Sequence, residues 1–219
     1  MMQESMDCLL CSSRAEYFGI YRNKSYYRCT YCLSIMMGLR DFMSPKEEKH
    51  RYDQHNNDVY NPGYRKFVEP LVEKIKLEYR PEAEGLDFGA GPGPVATVIL
   101  KEKGYRAIEL YDPYYHPDQS VLKKQYDFII CCEVVEHFHQ PLSSFKLLRS
   151  LLLPGGTLYC MTDLYHENID FGNWHYKNDP THVFFYHRRA LQWIKDVCDF
   201  YDLQVEKRLI CFKTLPAKP

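Results

Sequence analysis

Leu86-Asp87-Phe88-Gly89-Ala90-Gly91-Pro92-Gly93 is the stretch that decides the fold. A short apolar run leads into a turn with glycines at 89, 91 and 93, and Asp87 stands just ahead of the first. A backbone that bends sharply and comes within contact distance of a ligand needs residues without a Cβ and with free access to positive φ. The dinucleotide fingerprint spaces its glycines G-x-G-x-x-G so that a helix N-terminus meets a pyrophosphate. The spacing here is G-x-G-x-G, which departs from that pattern.

Outward from the turn, strand and helix signals alternate. The strand is expected over 85–89, and Pro94 and Gly104 bracket a helix over 94–103. A strand over 107–111 ends on Asp112, 21 residues beyond Gly91, where an acid accepts hydrogen bonds from the ribose hydroxyls of a bound nucleoside. Residues 126–132, Tyr-Asp-Phe-Ile-Ile-Cys-Cys, suit a central parallel strand buried on both faces. A helix over 141–152, a strand over 157–162, a helix over 187–199 and closing antiparallel strands within 202–213 complete the pattern. Repeated β-α units imply an α/β fold, a mostly parallel sheet with helices on both faces. Ligands of such sheets bind outside the carboxyl ends of the strands. Before this domain, Ser44-Pro45-Lys46-Glu47 reads as a helix start, with the helix running to about 53. Residues 64–75 repeat apolar positions at three- and four-residue steps, with a kink expected at Pro70.

Three motifs now stand in order. The glycine turn resembles motif I of the class I S-adenosylmethionine-dependent methyltransferases, whose cofactor presents an amino acid and a ribose instead of phosphates. Residues 127–139, D-F-I-I-C-C-E-V-V-E-H-F-H, are similar to the segment after the fourth strand in enzymes of the ubiquinone-biosynthesis O-methyltransferase type. Leu151-Leu-Leu-Pro154-Gly155-Gly156-Thr157-Leu158 is similar to the turn before their fifth strand. Together the motifs span residues 84–162. The resemblance implies a Rossmann-like methyltransferase sheet. It also implies S-adenosylmethionine held by Asp87, Phe88, Gly89, Ala90, Gly91 and Gly93, by Asp112 and Pro113, and by Cys132, Glu133 and Val134, with a purely structural role equally open to Asp87. One departure stands out. Only 13 residues, 113–125, separate Asp112 from the next strand, where the family fits a helix, a third strand and an adenine-contacting acid. That edge is expected to be abbreviated, and Asp118, the only acid in the gap, is not assigned the adenine contact.

The N-terminal region has its own signature. Cys8 and Cys11 form one C-x-x-C pair and Cys29 and Cys32 another, with 17 residues between Cys11 and Cys29. Two such pairs joined by a hairpin-like segment match a tetrahedral zinc site. The expected organisation is a zinc ribbon over 1–40, a helical linker covering the cofactor cleft over 41–80, and the methyltransferase domain over 81–219. The other five cysteines lie scattered in apolar segments, as buried free thiols do. Within residues 1–40, five Lys/Arg face three Asp/Glu, too small a surplus to neutralise many phosphates. Net charge of −1 over 219 residues gives no field drawing the protein to nucleic acid or an anionic membrane. No apolar run exceeds five residues, so no membrane span is expected. The N-terminus lacks the pattern of a signal peptide, and a cytoplasmic location is expected. The 19 tyrosines suit a ring-lined pocket or an aromatic core, and the core is the expected use.

On the acceptor side, His137 falls at the end of the fourth strand near where the methyl group would lie. Residues 174–186, W-H-Y-K-N-D-P-T-H-V-F-F-Y, resemble the D-P-T-H-x-x-F-Y segment of a bacterial branch that also carries four N-terminal cysteines. His182 is the expected general base or acceptor-binding group, with Asp179 orienting it or capping the following turn. A second metal site from His175, His182 and His187 is not expected, because no helical spacing supports it. The reading is a methyltransferase acting on a small molecule, at oxygen in the first instance. Its rivals are an RNA methyltransferase using the ribbon to hold RNA and a non-catalytic cofactor-binding scaffold.

Overall fold

The computed structural model describes residues 4–54 and 58–217; residues 55–57 of the polar linker lie outside the described residues. Two sheets share one body. The N-terminal sheet begins with β1 (Ser5–Asp7), β2 (Arg14–Tyr21), β3 (Lys24–Cys29) and β4 (Ile35–Met37), each antiparallel to the next. Arg22 and Asn23, both at positive φ, form the tight turn between β2 and β3, a backbone that Asn tolerates better than most residues.

Two helices follow. The first, α1 (Pro45–Asp53), starts on a full capping box: the Ser44 side chain accepts from the Glu47 backbone N–H, and the Glu47 carboxylate accepts from the Ser44 N–H at 2.8 Å. The second, α2 (Pro62–Glu78), begins two residues earlier than the periodicity predicts, where the Asn61 side chain caps the Tyr64 N–H. It runs as one helix through Pro70, which lies on its exposed face.

The second sheet is built from β5 (Gly85–Phe88), then α3 (Val95–Glu102), β6 (Ile108–Tyr111), β7 (Tyr126–Cys132), α4 (Pro141–Ser150) and β8 (Leu152–Met161). The chain then forms β9 (Phe184–Phe185), α5 (Arg188–Val197), β10 (Asp202–Glu206) and β11 (Leu209–Lys213). The sheet order is β10-β11-β8-β7-β5-β6, with parallel pairing from β8 through β6 and antiparallel pairing at β11 and β10. Among the described residues no strand lies beyond β6. A 3-10 turn over Gln119–Lys123, capped by Asp118, fills the short gap, so the abbreviated edge is real and Asp118 has a structural duty.

Strand alternation divides the core. Phe128 and Ile130 face a cluster with Leu71 and Ile75 of α2 and Leu100 of α3. Ile129 and Cys131 face the other way, toward Phe145 and Leu148 of α4 and Leu191 and Ile194 of α5. That second cluster continues without interruption into Tyr26, Ile35 and Met36 of the N-terminal sheet. The join is also made by backbone: β9 pairs antiparallel with β4, Ile35 opposite Phe185 and Met36 opposite Phe184. The N-terminal sheet therefore takes its fifth strand from the C-terminal half of the chain, and a boundary at residue 40 does not separate it.

Candidate active site

A cavity of about 1000 Å3 opens at the carboxyl ends of β5, β6 and β7. Its floor is the glycine turn. Gly89 sits at φ +78° and Gly91 at +59°, in the left-handed region that suits glycine. A Cβ on Gly89 would come within 2.5 Å of the Val134 side chain, so this glycine also lets the β5 and β7 ends close together. Phe88, Ala90 and Gly93 line the cavity beside them.

Asp112 and Pro113 line it at the end of β6. The Asp112 carboxylate is already engaged: Oδ2 accepts from the Gly91 N–H at 3.1 Å, and Oδ1 accepts from the N–H groups of Tyr114 and Tyr115. These bonds fix the glycine turn against the next loop and leave part of the carboxylate's four lone-pair sites for a ligand. Asp87 takes the structural role of the two open to it. It is buried behind the turn, 4% exposed, and its Oδ2 accepts from the Thr97 hydroxyl of α3 at 2.6 Å. Burial pushes its carboxyl up to about 6, Thr97 opposing and Asp112 adding. Asp87 ties α3 to β5 and is not among the cavity-lining residues.

Cys132, Glu133 and Val134 form the wall after β7. Glu133 stands at φ +55°, a strained position for a side chain of its size, and strain of this kind gathers at functional sites. Burial and the nearby Glu136 push its carboxyl above the usual range, against the pull of Arg208, whose guanidinium reaches both oxygens at 3.1 and 3.2 Å.

The roof is α1. Positions 48, 51 and 52 share one helix face and bridge three walls. Glu48 accepts from Tyr114 at 2.9 Å and pairs with His139 at 2.8 Å, Arg51 pairs with Asp179 at 2.9 Å, and Tyr52 meets His137 Nδ1 at 3.2 Å. Sequence reasoning assigned this segment as a cover without naming these residues; their i, i+3, i+4 spacing was the available signal. Six tyrosines, at 52, 64, 111, 114, 115 and 176, line the cavity, so the tyrosine surplus serves pocket as well as core.

His137 and His182 come together, rings 4.7 Å apart edge to face. His182 Nδ1 lies 2.7 Å from the Tyr176 carbonyl, and His137 Nδ1 lies 3.0 Å from the Thr181 carbonyl. A carbonyl only accepts, so in each neutral ring Nδ1 carries the proton and Nε2 keeps a lone pair. Burial, with the charge of His137 adding, lowers His182 to about 4, so it is neutral at physiological pH. Asp179 takes the capping role of the two expected for it: its Oδ1 accepts from the Thr181 N–H and hydroxyl, while the Tyr176 carbonyl fixes the His182 ring. Glu136, fully buried, accepts from the Tyr176 hydroxyl and stands 3.9 Å from His182 Nε2. His187 caps α5, its Nδ1 accepting from the Arg189 N–H at 3.0 Å.

At the other end of the shared core, Cys8, Cys11, Cys29 and Cys32 converge, with Cys8–Cys32 sulfurs 3.7 Å apart and Cys11–Cys29 sulfurs 3.5 Å apart. A disulfide needs about 2.05 Å. Four sulfurs around a tetrahedral zinc at about 2.3 Å lie about 3.8 Å from each other, so the four residues fit that ion.

A glycine-floored crevice at the carboxyl ends of a sheet in this order is the arrangement of the class I methyltransferase fold. A protein-family profile described as a methyltransferase domain matches residues 43–205, and the chain belongs to that family. Over 82 residues it is 32% identical to a ubiquinone biosynthesis O-methyltransferase of Histophilus somni, a stretch covering 36% of this chain and 34% of that protein. A second such enzyme, from Ruegeria pomeroyi, is 34% identical over 84 residues, covering 37% and 32%. The matched part is thus about a third of the curated relatives' length. Among solved structures, the 1,6-didemethyltoxoflavin-N1-methyltransferase of Burkholderia thailandensis, with 1,6-didemethyltoxoflavin and S-adenosylhomocysteine bound, has a TM-score of 0.53 at 15% identity over 92% of this chain and 100% of that one. An O-methyltransferase family protein from the same organism has a TM-score of 0.52 at 12% identity, covering 78% and 64%. At these identities the structures speak for the fold.

Proposed function

We propose that the protein transfers the methyl group of S-adenosylmethionine to a hydroxyl oxygen of a small molecule, with His182 as the general base. The observation that carries this reading is the state of His182: a buried neutral imidazole whose Nδ1 is held by a main-chain carbonyl and whose Nε2 keeps a lone pair. The matched ubiquinone biosynthesis enzymes, named as O-methyltransferases, support oxygen as the acceptor atom.

Methyl transfer is an in-line displacement at a sulfonium carbon that the cofactor supplies already activated. The residues at 88–93, 112–113 and 132–134 would hold the cofactor, the ribose taking the Asp112 lone pairs that its amide partners leave. As the acceptor oxygen forms its new bond to carbon, its proton passes to His182 Nε2. The imidazolium that results lies beside the Glu136 carboxyl at 3.9 Å, which offsets part of the cost of charging a buried ring. The roof formed by α1 excludes water that would compete for the methyl group. Zinc on the four cysteines would hold the cysteine end of the ribbon, whose other strands pack into the shared apolar cluster.

The test is His182→Gln. Incorporation of labelled methyl into hydroxylated aromatic acceptors should fall about 100- to 10,000-fold, while calorimetric affinity for S-adenosylmethionine is retained. Unchanged turnover removes His182 from the mechanism. Label entering total tRNA or rRNA instead of the small molecules favours the RNA methyltransferase, and no binding of the cofactor favours the scaffold.

A further inference from the structure

We propose that Glu136, His137 and His182 form a second cation site, distinct from the four cysteines, and that a divalent transition-metal ion bound there competes with the proton of the acceptor. One ligand atom from each of the three residues lies within 4.8 Å of the others. Even at the outer bound of 4.8 Å between ligands an ion would lie about 2.8 Å from each, so shifts of at most about 0.7 Å per side chain reach the Zn–N distance of about 2.0–2.1 Å; the Glu136 and His182 atoms are already 3.9 Å apart.

The surroundings are those of metal-ligating histidines. A ligating imidazole almost always donates its other ring N–H to a carbonyl or carboxylate, which fixes the ring and raises its basicity. His182 does so to the Tyr176 carbonyl and His137 to the Thr181 carbonyl, both through Nδ1. Glu136 supplies an independent observation. Its Oε1 is held by the Tyr176 hydroxyl, but its Oε2 is buried with no hydrogen-bond partner among the described residues. A buried carboxylate oxygen without a partner costs free energy that a cation would recover. Two imidazole nitrogens and one carboxylate oxygen suit Zn2+, Co2+, Mn2+ or Fe2+, and they leave coordination positions open toward the cavity that His137 and His182 line.

Occupation of the site takes up the Nε2 lone pair of His182, the atom assigned above as the proton acceptor. The loaded site therefore suppresses methyl transfer. In this respect the inference rests on the base role of His182, but the site itself is read without any turnover.

The experiment adds Co2+ to the zinc-loaded, full-length protein. One further equivalent should bind with d–d absorption and no thiolate charge-transfer band, and E136Q and H137Q should each weaken it at least tenfold while retaining one zinc and the wild-type far-UV dichroism. Absence of a further equivalent overturns the site, as does equally strong binding in both variants. Where labelled methyl transfer is measured, Co2+ loading should lower it and a weak chelator should restore it; unchanged or raised turnover overturns the competition. If His182→Gln leaves turnover intact while Co2+ still binds to the wild-type protein, the base role fails and the cation site stands.

Discussion

Asp87→Asn converts the buried carboxyl behind the glycine turn into a neutral group of the same shape, and the structure gives the size of the effect. The folded-state pKa is raised from 3.8 to about 6, first by burial. A raised acid pKa means that the folded protein keeps a proton the unfolded chain gives up. Stability from this group is therefore complete below pH 3.8, falls as pH rises through the interval, and levels off above about 6. At 1.36 kcal/mol per pKa unit, the difference between 3.8 and about 6 corresponds to about 3 kcal/mol lost across that window. Asn carries no titration, and its side-chain oxygen still accepts from Thr97. Urea denaturation of both proteins at steps between pH 4 and pH 7.5 isolates the group, because titrations elsewhere, including zinc release from the ribbon, are common to both and cancel. The variant should gain on the wild type by most of about 3 kcal/mol as pH rises. A stability difference that stays flat with pH refutes the reasoning. Unchanged affinity for S-adenosylmethionine would agree with a carboxyl that serves α3 and not the ligand.

Three further outcomes follow from the same geometry. Gly89→Ala should destabilise the protein by about 2–4 kcal/mol, adding the left-handed backbone penalty to a Cβ only 2.5 Å from Val134, and Val134→Ala should recover the steric part alone in a double-mutant cycle by thermal melts. Stripping zinc with a strong chelator should abolish methyl transfer and the near-UV dichroism of the aromatic cluster around Tyr26, Phe171 and Phe185, and re-addition of zinc should restore both. Tyr176→Phe removes the hydroxyl that Glu136 accepts from and should cost about 1–3 kcal/mol in chemical denaturation; a variant as stable as wild type would mean that another donor takes its place.

Local signals made most of the fold legible and little of the site. Turn glycines, the capping box at 44–47 and the apolar run at 126–132 each act within a few residues, so the sequence exposes them. Strand alternation cannot by itself tell which face of β5 meets the ligand, because Gly85, Leu86 and Asp87 are all buried; Asp87 therefore read equally as a ligand group or a structural acid, and only its bond to Thr97 of α3 decides for the second. The capping role of Asp179 was one of two readings, and only the position of the Tyr176 carbonyl relative to His182 decides between them. Glu136 stood inside the quoted E-V-V-E-H motif, yet its value comes from burial and from Tyr176, 40 residues away, which no spacing rule reports.

The least legible feature, the pairing of β4 with β9, ties the N-terminal sheet to the loop that carries His182. The loop that carries His182 is anchored on one side by Val183, whose N–H donates to the Glu136 carbonyl and whose own carbonyl accepts from Met37. It is anchored on the other by Lys24, whose ammonium donates to the Pro180 carbonyl at 3.0 Å. Both Met37 and Lys24 belong to the N-terminal sheet. On the base role proposed for His182, its loop would lose rate steeply if it wandered by an ångström, and a two-residue strand cannot hold position by itself. Pairing it with a strand that the four-cysteine knot holds in place supplies the missing rigidity. On that proposal the N-terminal sheet acts mechanically, through two backbone pairs and one lysine, with no need for contact between it and the acceptor.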